Sequence, residues 1–205
     1  MNPFYVELQF APLDEILAEA SSIRDMHWGK TITYSRKVFV PLTNMCRDTC
    51  GYCTFVKHPS DPAARIMTPE QVLKEAEKGQ EKGCKELLFS LGEKPELRYK
   101  EAKDSLNFLG YKHMTDYLAD MCQLVISETS LLPHVNAGTL SDYEIDKLKP
   151  YSASMGMMLE TISRRLTKKG MPHFACPDKS PLLRIRTIRR TGEKKVPFTT
   201  GLLIG

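Results

Sequence analysis

Short apolar, β-rich runs alternate along the chain with longer amphipathic stretches, and most runs end on a glycine or a polar residue. That alternation constrains the fold more than any other feature. Strands separated by helices long enough to cross back over a sheet pair in parallel, with right-handed connections. Strands are predicted at 37–42 (KVFVPL), 86–91 (ELLFSL), 134–136 (HVN) and 152–159 (SASMGMML), with a fifth in the terminal GLLIG. Thr68-Pro-Glu-Gln71 reads as the start of a helix that runs to about Gly83, with Thr68 as N-cap, Pro69 in the first turn and Gln71 as capping-box partner. Ser141-Asp-Tyr-Glu144 is a second capping box. One long helix carries Met114, Leu118, Met121, Cys122 and Val125 on one face, and 182–190 forms a basic helix. The strand ends gather Asn44, Gly92-Glu93, Asn136, Glu160 and Gly205, and in a (βα) barrel that carboxyl rim carries the active site. The expected class is α/β, a partial (βα) barrel.

Residues 1–35 stand apart as an N-terminal extension with one amphipathic helix (Leu13, Ile16, Leu17, Ala20, Ile23), and 36–205 form the barrel core. The stretch 197–205 has the pattern of a strand covered on both faces, whereas chain ends usually lie at the surface. The chain therefore reads as incomplete at its C-terminus, short of the last barrel strand or strands. Its 205 residues are enough for one well-buried core, and 41% hydrophobic with 26% charged residues excludes a disordered chain. No apolar run approaches the roughly 20 residues that span a bilayer, and no basic, then apolar leader opens the sequence. Six cysteines without such a leader point to a reducing compartment and a cytoplasmic location. From Glu160 onward, 11 Lys and Arg face 3 Asp and Glu. A basic segment suits a nucleic-acid partner or an acidic neighbouring segment. The arginines at 184–190 lack interleaved stacking aromatics, so neither nucleic acid nor a membrane is expected as partner.

The densest chemistry is Cys46-Arg-Asp-Thr-Cys50-Gly-Tyr-Cys53, a C-x3-C-x2-C spacing in the loop after the first strand. Three thiolates this close in sequence can converge on one metal centre. Closed structural zinc needs a fourth ligand, for which His58 is the nearest histidine. A [4Fe–4S] cluster held by three cysteines leaves one iron open to a small molecule. Three reduced loop cysteines are the plain alternative.

With an aromatic before its last cysteine, this motif resembles the signature of the radical-SAM superfamily. The stretch Tyr34-Ser-Arg-Lys-Val-Phe-Val-Pro-Leu-Thr-Asn-Met-Cys46 and the cysteine motif behind it are similar to the deazaflavin (FO) synthase family, the 7,8-didemethyl-8-hydroxy-5-deazariboflavin synthases. Leu91-Gly-Glu-Lys-Pro-Glu-Leu-Arg-Tyr99, Pro177-Asp-Lys179 and Val196-Pro-Phe-Thr-Thr-Gly-Leu-Leu-Ile-Gly205 resemble the same family. Phe174-Ala175-Cys176 departs from the small residues expected there.

The resemblance implies a partial barrel of radical-SAM type, a [4Fe–4S] cluster and S-adenosylmethionine (SAM). It implies Cys46, Cys50 and Cys53 as cluster ligands, and Tyr52 as the residue whose backbone contacts adenine. Gly92-Glu93 matches the motif that receives the methionyl amino group, and Glu160 matches an acid that binds the ribose hydroxyls. Arg184, 17 residues before Gly201, has the spacing of an arginine for the SAM carboxylate. The implied activity is a radical-SAM lyase. It takes the 5-amino-5-(4-hydroxybenzyl)-6-(D-ribitylimino)-dihydrouracil adduct from a partner synthase subunit or domain, abstracts hydrogen, and closes the third ring of the deazaflavin with loss of ammonia. This is a step of coenzyme F-420 biosynthesis, and it needs a low-potential electron donor. Another radical-SAM synthase acting on a different small molecule, or a zinc-stabilised RNA-binding module, are the rival readings. Asn136, His173, Asp178 and Lys179 are candidates for substrate contact, which a turn cap and a solvated loop explain equally well. Cys84, Cys122 and Cys176 read as packing or incidental thiols, and Trp28 and the MGMM segment as core.

Overall fold

The computed structural model describes residues 10–204, so the calls on residues 1–9 and Gly205 lie outside the described residues. The chain divides between Tyr34 and Ser35. In the first unit, α1 (Leu13–Trp28) ends on Gly29, whose φ of +60° is easy only for glycine. The helix forms where its periodicity predicts, but none of its residues is buried. Trp28, expected in a core, is 75% exposed, at the end of a helix that buries none of its own residues.

The second unit is a five-stranded sheet of order β1-β2-β3-β4-β5, every neighbouring pair parallel. The strands are β1 (Lys37–Thr43), β2 (Glu86–Leu91), β3 (Leu132–Asn136), β4 (Ser154–Gly156) and β5 (Phe198–Thr199). Between them run α2 (Pro69–Glu81), α3 (Lys100–Phe108), α4 (Met114–Glu128), α5 (Asp142–Leu148) and α6 (Pro181–Glu193). Both capping boxes form as predicted: Thr68 and Gln71 open α2, and Ser141 and Glu144 open α5.

Register explains where the core sits. Val40, Phe89, Val135 and Met155 are successive partners across four strands, and all are fully buried. Because side chains alternate along a strand, this row faces the helices while Phe39, Leu88, His134 and Ser154 form the opposite row. The predicted stripe of α4, from Met114 to Val125, is buried, as are Ile145 and Leu148 of α5. Each such Leu, Ile or Val contributes about 1.5–3 kcal/mol by leaving water. Met155 and Met157 of the MGMM segment are core, while Met158 is 37% exposed.

Three expectations change. The predicted long helix is α4, and a further helix not foreseen, α3, precedes it across a turn at Gly110, whose φ is +91°. The fourth strand is three residues, not eight. The fifth strand lies at Phe198–Thr199 rather than in GLLIG, where only an isolated bridge joins Glu160 to Leu202. The reason is local: the Thr200 hydroxyl takes the Leu159 N–H out of the ladder, and Glu160 has a left-handed φ of +66° that no strand continues through.

Gly92, just past β2, approaches Met45 so closely that a Cβ would stand 2.0 Å from the Met45 carbonyl oxygen. Gly92→Ala is expected to destabilise the protein by about 1–3 kcal/mol or more, since rigid backbone has to move. Gly192, in the last turn of α6, has no atom within 4 Å of such a Cβ, so Gly192→Ala is expected to stabilise by about 0.5–1 kcal/mol. Chemical denaturation of both variants, with opposite shifts of the midpoint, checks the contrast.

Candidate cluster and cofactor site

The loop after β1 is held by its neighbours before any cofactor is considered. The Thr43 hydroxyl accepts the Met45 N–H and donates to the Arg65 carbonyl. Asn44 ties down the Ala63 carbonyl and the Arg65 N–H through its side-chain amide. On the β2 side, Gly92 N–H donates to the Thr43 carbonyl and Arg47 N–H to the Glu93 carbonyl, each at 2.9 Å. Further on, Gly51 N–H reaches the Pro172 carbonyl at 2.8 Å.

This scaffold presents three thiols of different depth: Cys46 is buried, Cys50 half-buried and Cys53 exposed. Cys46 Sγ accepts the Glu93 and Asp48 backbone N–H groups at 3.1 and 3.3 Å. Burial nevertheless pushes its thiol up to about 11, because those two N–H groups only partly offset desolvation. Burial also pushes Cys50 up to about 12, against the Lys179 ammonium and with the neighbouring Cys176 thiol adding to the rise. Cys176, read as incidental, is thus buried beside a cluster-motif cysteine. Cys122 packs in the core as predicted, and Cys84 packs against it.

All eight residues singled out in the sequence, Cys46, Cys50, Cys53, Tyr52, Gly92, Glu93, Glu160 and Arg184, line one cavity of about 190 Å³ at the carboxyl ends of the strands, as does Asn136. Glu93 is almost fully buried, and its Oε1 accepts the Thr139 N–H at 2.6 Å and the Thr139 hydroxyl. Burial, then the charge of Asp178, pushes its carboxyl up to about 7. Gly138 makes this seat possible, since a Cβ there would fall 2.3 Å from the Glu93 carboxyl carbon. Glu160 Oε1 accepts the Lys179 ammonium at 2.6 Å and the Tyr52 hydroxyl at 3.2 Å. Burial works to raise its carboxyl, but Lys179 outweighs that and holds it below the usual range. The Tyr52 hydroxyl also meets His173 Nε2 at 2.9 Å, so its side chain, not only its backbone, belongs to the site. Arg184 is 3% exposed and donates Nη1 to the Met158 carbonyl at 2.7 Å, while its buried Nε has no partner among the described residues.

The sequence reading missed Asp48, Gly138 and Thr139. It treated Asp178 and Lys179 as loop residues, yet Asp178 is buried in a bidentate pair with Arg47, and Lys179 pairs with Glu160. An aspartate between two motif cysteines was the one visible signal. The other contacts join residues 19 to 131 positions apart.

A rim of thiols and convergent charged groups at the carboxyl end of a parallel sheet defines a metallocofactor enzyme site. Residues 40–205 match the profile described as the Radical SAM superfamily, and the chain belongs to that superfamily. It is 46% identical over 174 residues to the 7,8-didemethyl-8-hydroxy-5-deazariboflavin synthase of Methanopyrus kandleri, a match covering 85% of this chain and 52% of that protein. It is 48% identical over 208 residues to the FO synthase of Mycobacterium tuberculosis, covering 94% of this chain and 24% of that one. The chain thus spans about half and about a quarter of the lengths of these relatives. Among solved structures, the FeFe-hydrogenase maturase HydG of Carboxydothermus hydrogenoformans superposes with a TM-score of 0.69 at 22% identity, over 93% of this chain and 41% of that one. Methylornithine synthase gives 0.64 at 15%, over 98% and 54%. These likenesses show the fold: a partial radical-SAM barrel. Among the described residues no helix is long and apolar enough to cross a membrane.

The superfamily works with a [4Fe–4S] cluster and SAM, and the residues present fit both. Three thiols line one cavity, one of them already receiving two N–H groups, which is how proteins tune cluster sulfur. The unpartnered Nε of buried Arg184 suits a carboxylate. Without metal, the thiols should differ in reactivity. In metal-free protein at pH 8, Cys53 is expected to alkylate first with iodoacetamide and Cys46 and Cys122 last, read by peptide mass mapping over time.

Proposed function

We propose that this chain carries the radical-SAM centre of a deazaflavin synthase, closing the third ring of FO from the tyrosine-derived diaminouracil adduct with loss of ammonia. The observation that carries this reading is identity of 44–51% to FO synthases across 85–95% of the chain. A cavity lined by every residue that the resemblance assigns to cluster and SAM supports it. The adduct comes from a partner subunit or domain, and a low-potential donor supplies the electron.

Cys46, Cys50 and Cys53 would hold the cluster, Glu93 the methionyl ammonium, Arg184 the carboxylate and Glu160 the ribose hydroxyls, with the Tyr52 backbone against adenine. When bound, the reduced cluster supplies the electron that cleaves SAM and frees a hydrogen-abstracting deoxyadenosyl radical. The chain's own task is placement. Lys179 and Tyr52 engage one oxygen of Glu160 and leave Oε2 for a diol. Thr139 fixes one oxygen of Glu93 and leaves the other, beside Gly138, without a described hydrogen bond. The His173 ring meets the Tyr52 hydroxyl at 2.9 Å and so helps to hold the Tyr52 side chain at the cavity edge.

After anaerobic reconstitution, iron and sulfide analysis is expected to show full loading in Cys84→Ala, Cys122→Ala and Cys176→Ala, and loss in Cys46→Ala, Cys50→Ala and Cys53→Ala. A full cluster in Cys50→Ala overturns the ligand assignment. Given adduct, SAM and a strong reductant, the enzyme is expected to form 5′-deoxyadenosine, methionine and the fluorescent deazaflavin. SAM cleavage without deazaflavin would leave the superfamily in place and remove the proposed substrate. Glu93→Ala is expected to weaken SAM binding about ten- to a hundredfold, the value of roughly 1.5–3 kcal/mol for one charge-assisted contact, and Glu160→Ala to weaken it more mildly.

A further inference from the structure

Three buried carboxylates, Asp48, Glu93 and Asp178, bring one oxygen each within 4.8 Å of one another, and the first two line the cavity. Two are largely spoken for. Both oxygens of Asp178 are held by Arg47, and Glu93 Oε1 is held by Thr139. Asp48 is different: it is 2% exposed and lines the cavity, its Oδ1 accepts the Asp178 N–H at 3.3 Å, and its Oδ2 has no partner among the described residues. An orphaned carboxylate oxygen at that depth is costly unless a cation or a hydrogen-bond donor meets it or a proton neutralises it, and an ammonium supplies both charge and donors.

The cation's chemistry follows from what remains open. Asp48 Oδ2 and Glu93 Oε2 are the acceptors of this cluster that take none of the described hydrogen bonds. A calcium or magnesium ion would have to complete its six or more oxygen ligands with water, while a primary ammonium with three N–H donors is satisfied by two or three acceptors. The second orphan of the cavity, Arg184 Nε, is a donor on a permanent cation. One unpartnered anionic acceptor and one unpartnered cationic donor lining a single cavity match the two ends of an α-amino acid group.

We propose that Asp48 is the second carboxylate receptor, beside Glu93, for the α-ammonium of the methionyl moiety of SAM. This rests on the assignment of Glu93 and Arg184 made above and adds a residue to it. The ionic radical-SAM ligand would then be read by charge at both ends: two carboxylates on the ammonium, one guanidinium on the carboxylate.

The test is equilibrium binding, not turnover. Anaerobically reconstituted wild type and Asp48→Asn are titrated by calorimetry with SAM and with an S-adenosyl analogue whose amino group is replaced by hydrogen, iron content being checked first. Asp48→Asn is expected to weaken SAM at least tenfold and to leave the deaminated analogue within twofold of wild type. Unchanged SAM affinity, or equal losses for both ligands, overturns the proposal while Glu93 keeps its role. If wild type itself does not discriminate the two ligands, the underlying assignment of the ammonium subsite fails and takes the proposal with it. Should Asp48→Asn not load iron, Asp48→Ser is measured the same way; loss of the cluster in both makes Asp48 a support of the loop and overturns the proposal.

Discussion

Gly92 lies against Met45 and Cys46 with no space for a side chain, and the chemistry of the rim is organised around that approach. It lets the end of β2 run directly beneath the cysteine loop, so that the next residue points its N–H at Cys46 Sγ and its carbonyl at the Arg47 N–H. The same step places the Glu93 carboxyl in the space that Gly138 leaves vacant. Two glycines from two different strand ends therefore convert ordinary parallel pairing of β1, β2 and β3 into a seat that holds a buried acid beside a thiol.

Burying that much charge needs compensation, and the fold supplies it by pairing across long separations. Arg47 neutralises Asp178, and Lys179 neutralises Glu160, so consecutive loop residues serve two different strand ends. Part of the basic C-terminal region is used in this way. Arg184 turns into the cavity, and Arg190 and Lys194 pair with Asp142 and Asp146 around α5. Arg190 and Lys194 are thus matched by acids earlier in the same chain, which accounts for part of the positive excess after Glu160.

Glu160 shows how local strain and function meet. Its φ of +66° interrupts β4, and its backbone is steadied by Gly201 and Leu203 on the neighbouring segment. A non-glycine residue in that conformation costs of order 1–3 kcal/mol and persists where surrounding contacts hold it. Here the contacts are the Lys179 ion pair, the Tyr52 hydroxyl and the bridge to Leu202. The interruption also shortens the sheet at β4 and β5.

Local features were legible in the sequence. The capping boxes at Thr68 and Ser141, the buried stripe of α4 and the cysteine spacing need only neighbours a few residues away, and the parallel sheet follows from alternation alone. The eight candidate site residues could be named because the family resemblance runs through local motifs and strand ends, and the structure brings all eight to one cavity. What the tertiary structure decided was the company those residues keep. Nothing in a linear reading joins Thr139 to Glu93, Tyr52 to Glu160 or Asp178 to Arg47, nor marks Trp28 as exposed. Hydrogen bonds and ion pairs depend on positions fixed to within an ångström, and those positions come from the packing of strands and helices far apart in the chain, whereas caps, periodicity and ligand spacing are set by the geometry of a single turn or loop.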